Sequence, residues 1–212
     1  MFEVGIFRRV FFQVTVGAVA LFSFAAAGAT ESFPQWLESL KREAVLKGIS
    51  DKTLNKALDG IKPIPRVIEL DHKQPEFTLT FQQYQDRVVP AARVKLGRKR
   101  LRENKSLLEA VGRAYGVQPR FIVALWGIET DFGRLTGGFN VIPALATLAY
   151  DGRRSAYFRK ELLNALKIID QGHITPAAMK GSWAGAMGQS QFMPSSFLNF
   201  AVDHDGDGRK DI

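Results

Sequence analysis

Phe121-Ile-Val-Ala-Leu-Trp-Gly-Ile-Glu-Thr-Asp-Phe-Gly133 is the stretch on which the fold turns. Pro119 can open a helix, because the first helical position has no use for a donor N–H. The run Phe121 to Ile128 then predicts the most apolar helix of the chain, with Glu129 at its end just before a turn. Working outward, Pro90 can occupy the first turn of a long basic helix to about Ala114, ended by Gly116, and Thr80 to Val89 has helical spacing before it. Ile61 to Gln74, with Pro63 and Pro65, reads as extended connection. Ser50 caps a short helix ending at Gly60, and Ser32 with Pro34 opens one through Lys47 that Gly48 can close. On the other side, Pro143 to Tyr150 and Ser155 to Gln171 read as helices, and Thr175-Pro176 caps a short turn. Strand signals are scarce and no repeat is present, so the chain is expected to be mainly α.

The 212 residues, 46% hydrophobic and 24% charged, can bury one core or two small ones and do not describe a disordered or fibrous chain. Lys and Arg number 29 against 21 Asp and Glu, and the formal charge of +8 favours an anionic partner without naming it. With no cysteine, disulfide scaffolds, thiol catalysis, cysteine zinc sites and N-terminal cysteine lipidation are excluded together. His72, His173 and His204 lack H-x-x-x-H spacing, and no G-x-S-x-G, P-loop or dinucleotide fingerprint is present. The basic run Arg93, Lys95, Arg98, Lys99, Arg100, Arg102 and Lys105 reads as a solvated helix face. A nucleic-acid partner would need interleaved aromatics or a recognised module, so none is expected.

Residues 1–29 read as a signal peptide. Arg8 and Arg9 supply the positive end, Val10 to Ala27 is apolar except for Gln13, Thr15 and Ser23, and Ala27 and Ala29 form an A-x-A cleavage pattern. Cleavage leaves an exported domain, 30–212, in the periplasm with no stable membrane anchor. An uncleaved anchor is the alternative, since the apolar run approaches the roughly 20 residues of a spanning helix.

Two stretches carry candidate chemistry. Burial at the end of an apolar helix would disfavour the ionised form of Glu129, so that it could stay protonated near neutral pH and act as a general acid. The alternative is a hydrogen-bonded structural residue. The second stretch is Gly181-Ser-Trp-Ala-Gly-Ala-Met-Gly-Gln-Ser-Gln-Phe-Met-Pro-Ser-Ser-Phe197, whose small residues let backbone approach a ligand closely. Ser182, Gln189 and Gln191 among Trp183 and Phe192 suit hydroxyl-rich rings, hydrogen-bonded at their edges and packed at their faces. A tight loop with buried aromatics would show the same composition.

Together, Gly-Ile-Glu-Thr-Asp-Phe-Gly and the Gly-rich stretch resemble the soluble and membrane-bound B-type lytic murein transglycosylases, from about Phe33 to Ile212. The resemblance implies a lysozyme-like helical fold and a peptidoglycan lyase needing no catalytic cofactor. It implies that Glu129 protonates the glycosidic oxygen between N-acetylmuramic acid and N-acetylglucosamine. Glu129 then takes the proton of the muramoyl C6 hydroxyl, leaving a 1,6-anhydro sugar. The implied substrate-binding residues are Ser182, Gln191, Phe192 and, on the shorter match Phe-Gln-Gln-Tyr-Gln-Asp, Tyr84. Gln189 stands where the family's motif often has an aromatic and is left out of that set. Asp131, the only nearby second carboxylate, reads as structural or capping. A lysozyme-type hydrolase is the near alternative, and a non-catalytic wall-binding or calcium-dependent scaffold protein the distant one. Oligomeric state is not legible.

Finally, Asp203, Asp205, Asp207, the Arg209 carbonyl and Asp211 stand at positions one, three, five, seven and nine of an EF-hand-like loop, with Gly208 at six. That spacing suits a structural calcium ion. The position-twelve ligand would be residue 214, so the domain is expected to be C-terminally incomplete.

Overall fold

The computed structural model describes residues 31–73 and 79–212; the expected signal peptide lies outside them. Ser32 donates through its N–H and hydroxyl to Gln35 Oε1 (3.1 and 2.8 Å) and opens α1 (Phe33–Leu46). Ser50 accepts from Thr53 N–H (3.3 Å) at the start of α2 (Asp51–Leu58). The expected extended stretch is partly wrong, because Pro65 takes the first turn of α3 (Pro65–His72). Long-range contacts hold this helix in place. Val67 is wholly buried, and the buried carboxylate of Asp71 receives Arg153 Nε (2.6 Å) and Arg154 Nη2 (2.5 Å).

Thr80 and Gln83 cap one another at the head of α4 (Phe81–Val88). The long basic helix is in fact two, α5 (Ala91–Glu103) and α6 (Lys105–Tyr115). They part at Asn104, whose side-chain amide donates to Arg100 O (2.9 Å) in competition with the helical ladder. Gly116 ends α6 at φ +67° as expected. Next come α7 (Pro119–Thr130), β1 (Phe139–Asn140), α8 (Val141–Asp151), α9 (Ser155–Asp170) and β2 (Lys180–Gly181), which pairs antiparallel with β1. Last is α10 (Pro194–Phe200), absent from the sequence reading. Its first turn is tied to α9 by Ser195 N–H donating to the buried Glu161 carboxylate (2.8 Å).

The larger core surrounds α8, buried at every position from Ala144 to Ala149, against α9 and α10 with α1, α2 and α3 outside. A smaller cluster, Leu108, Val123 and Phe132, sits among α5, α6 and α7. The core helix is therefore α8, whereas α7 leaves Phe121, Leu125 and Ile128 about half exposed. Among the described residues no helix is long and apolar enough to cross a membrane.

Candidate active site

Beyond Thr130 the chain makes a tight left-handed turn in which Asp131, Phe132 and Gly133 all have positive φ (51°, 61° and 84°). Such backbone costs free energy for non-glycine residues and persists only where its surroundings fix it. Two clamps do so here. The Phe132 ring lies against Gly97 of α5 and Gly127 of α7, edge-on to Trp126 at 5.6 Å. Asp131 accepts from Arg134 Nε (2.8 Å) and Arg93 Nε (3.3 Å). The Arg134 hydrogen bond, opposed by desolvation and reinforced by Arg93, holds the Asp131 carboxyl below the usual carboxylate range. Asp131 is thus the capping residue expected. Arg93 is the exception in the basic run, turned inward while Lys99 and Arg100 pair with Glu103 on the helix surface.

Glu129 stands two residues before this clamped turn and is solvent-exposed, not dry as expected. Its neighbours one turn back and beside it, Leu125 and Ile128, are exposed as well, so the described residues place no apolar wall over it.

The Gly-rich stretch folds back on itself. Ser182 N–H donates to Ala186 O (2.8 Å), and Met187 and Phe192 exchange both backbone hydrogen bonds (2.9 and 3.0 Å). Ser182 Oγ accepts from Ala186 N–H (3.0 Å). Gln191, at φ +49°, donates through Nε2 to Thr136 O (3.1 Å) and Gly188 O (2.9 Å). Phe192 is half-buried against the larger core. Ser182, Gln191 and Phe192 therefore share one folded segment. Tyr84 stands exposed on α4, and no hydrogen bond among the described residues ties it to either motif.

Two contacts unseen in the sequence join this segment to the Glu129 turn. The Thr130 hydroxyl, buried, donates to Gln189 O (2.9 Å) and accepts from Gly133 N–H (3.0 Å), while Trp126 Nε1–H donates to Gln189 Oε1 (2.7 Å). Their partners lie 59 and 63 residues apart, which no local pattern reveals.

In the acidic loop the carboxylates of Asp203, Asp205 and Asp207 offer oxygens within 4.8 Å of one another. Desolvation pushes the Asp203 carboxyl up, but Gly208 and Gly206 N–H groups donating to it outweigh this and hold it below its usual range. Arg209 is tied in by its N–H on Asp207 Oδ1 (2.8 Å). Asp211 is not among the carboxylates that converge, and lines a groove with Phe200 and Ile212 instead. The oxygen chemistry fits a hard cation, with three carboxylates toward the usual 6 to 8 oxygens.

The mostly helical body that holds this turn and the glycine-rich segment matches solved lysozyme-like structures. The chain belongs to the transglycosylase SLT domain family, whose match covers residues 32–212, among the B-type lytic transglycosylases. Its sequence is similar to membrane-bound lytic murein transglycosylase B of Escherichia coli, 33% identical over 171 residues, 76% of this chain and 47% of the relative. Its fold is similar to that of SltB3 from Pseudomonas aeruginosa in complex with NAG-anhNAM-pentapeptide. That match has 43% identity and a TM-score of 0.82, over 86% of this chain and 48% of that one. Escherichia coli Slt35 in complex with calcium matches at 33% identity and a TM-score of 0.72, over 82% and 56%. The chain thus spans about half the length of the relatives it matches.

Proposed function

We propose that this chain carries the catalytic part of an exported, periplasmic lytic transglycosylase acting on peptidoglycan glycan strands. Glu129 donates its proton to the bridging oxygen between N-acetylmuramic acid and N-acetylglucosamine, and the bond from that oxygen to the muramoyl anomeric carbon breaks. The C6 hydroxyl of the same muramoyl unit then adds to the anomeric carbon while its proton passes to Glu129. The products are a 1,6-anhydro end and a free 4-hydroxyl, no water is consumed, and Glu129 is again protonated. Ser182, Gln191, Phe192 and Tyr84 bind the sugars in this reading, and the Asp203 to Asp207 loop holds calcium in a structural role, apart from the chemistry.

The observation that carries the proposal is the state of Asp131. A two-carboxylate glycosidase keeps its second carboxylate roughly 5 to 9.5 Å from the acid as nucleophile or base. Here the only other carboxylate in the Glu129 motif, on Asp131, is engaged by Arg93 and Arg134. An attacking group built into the substrate removes the need for a second one and gains from proximity. The test is digestion of purified peptidoglycan by the full-length protein, with products read by mass spectrometry. Ends lighter by one water than reducing ends are expected, and reducing ends alone would mark a hydrolase. Glu129→Gln should abolish turnover while glycan binding persists; surviving turnover would overturn the assignment of Glu129.

A further inference from the structure

Glu129 is bracketed by three groups that meet one residue on the facing segment. Trp126 lies three residues before it, Thr130 follows it and Gly133 closes the turn. All three touch Gln189. The indole N–H, which can only donate, reaches Gln189 Oε1 at 2.7 Å, and the buried Thr130 hydroxyl reaches the Gln189 carbonyl at 2.9 Å. Gly133 lies so close that a Cβ there would stand 2.4 Å from Gln189 Oε1. Gln189 sits in turn two residues before Gln191 and seven after Ser182, on the segment that carries the proposed sugar contacts.

We propose that Gln189 is a positioning residue, a clasp that fixes the Glu129 turn relative to the sugar-binding face. The inference rests on the acid and base role proposed for Glu129. The main-chain bond from Thr130 survives any side chain at this position, whereas the bond from Trp126 needs an acceptor at the reach of a glutamine amide. Loss of that bond lets the carboxyl drift against a glycan still held by Ser182 and Gln191. Misplacement by about 1 Å can cost on the order of a hundredfold in rate. The effect therefore falls on kcat and spares glycan affinity.

The test is a double-mutant cycle in the full-length protein, using Gln189→Met, Trp126→Phe and the two together, with Glu129→Gln as reference. Turnover is measured on a defined glycan oligomer per folded molecule, and affinity is measured by calorimetry. Each single variant should lose roughly ten- to a hundredfold in kcat with affinity changed by less than about threefold, and the double variant should lose no more than the worse single one. A merely structural role would lower the unfolding midpoint and the folded fraction but leave kcat per folded molecule unchanged. Should Gln189→Met fail to fold, Trp126→Phe carries the same kcat test. Wild-type kcat in the folded variants beside an inactive Glu129→Gln overturns the clasp alone, as do losses that multiply in the double variant. Turnover surviving in Glu129→Gln removes the underlying reading and the clasp with it.

Discussion

Replacing Asp71 with Asn isolates the contact that fastens α3 to the body. The carboxylate has no exposed side-chain surface and takes charge-assisted hydrogen bonds from Arg153 Nε and Arg154 Nη2, while Arg153 Nη2 also donates to the Asp71 carbonyl (2.8 Å). Removing one partner of a fully buried ion pair costs about 3 to 5 kcal/mol, because the survivor stays charged and dry. Here the arginines keep 46% and 44% side-chain exposure, so water can take over part of their solvation. What is lost is chiefly two charge-assisted hydrogen bonds, one of which an amide oxygen can keep in weaker form, and the expected loss is about 2 kcal/mol. For a domain of 150 to 250 residues that is a fall of roughly 4 to 8 °C in Tm.

The pH dependence fixes the sign. The Arg153 hydrogen bond outweighs desolvation and, with Arg154, holds the folded Asp71 carboxyl below its ordinary value. Its contribution is therefore complete above the unfolded carboxylate pKa of about 3.9 and is lost as pH falls through the lower folded value. Urea denaturation followed by circular dichroism should show a constant gap between the wild type and Asp71→Asn from neutral pH to about 5, narrowing below 4. A variant within about 0.5 kcal/mol of wild type at pH 7, or a gap indifferent to acid, refutes the argument.

Gly127→Ala puts a Cβ 2.7 Å from Phe132 Cζ, whereas Gly97→Ala meets the same atom at 3.3 Å. Overpacking of about 1 to 3 kcal/mol against about 1 kcal/mol gained in helix propensity should leave Gly127→Ala less stable than wild type. Gly97→Ala should be neutral or more stable, and the reverse order in urea titrations would count against the clamp. Glu161→Ala strands the Ser195 N–H at the start of α10 and should cost about 1 to 3 kcal/mol in the same assay; a null result would mean that α10 is held by other contacts. Added calcium should raise the unfolding midpoint of the wild type and not of the Asp203→Ala, Asp205→Ala double variant. An equal rise in both would place the ion elsewhere.

Features set within a few residues were legible in the sequence. The Ser50 cap, the Pro119 start and the Gly116 stop each act within one helical turn, and each stands where expected. Apart from the break at Asn104, which a bond four residues long makes, what failed depends on distant partners. Helix α3 is held by Arg153 and Arg154, 82 and 83 residues away, and α10 by Glu161, 34 residues away. The exposure of α7 fails for the same reason, since apolar composition gives a helix something to bury but not the surface that buries it. That Ser182, Gln191 and Phe192 share one folded segment was legible because a compact motif carries all three. The partnership of Arg93 with Asp131 was hidden, because Arg93 looks like every other cation on α5.

The exposure of Glu129 moves one requirement from the protein to its substrate. A general acid must hold its proton until the bond breaks, and burial was the expected means. Within the described residues that means is not present, yet the two features that fix geometry are: a left-handed turn clamped by Phe132 and Asp131, and a tie to the glycine-rich segment through Thr130. Under the proposed reading, water is excluded when the glycan covers the carboxyl, with the exposed row Phe121, Leu125 and Ile128 leading up to it as apolar surface to be covered at the same time. The division is physically coherent. Asp131 is already engaged by two arginines, which hold it ionised against desolvation, whereas Glu129 stands open beside an apolar strip, and under the proposed reading that contrast is what separates a structural carboxylate from the acid.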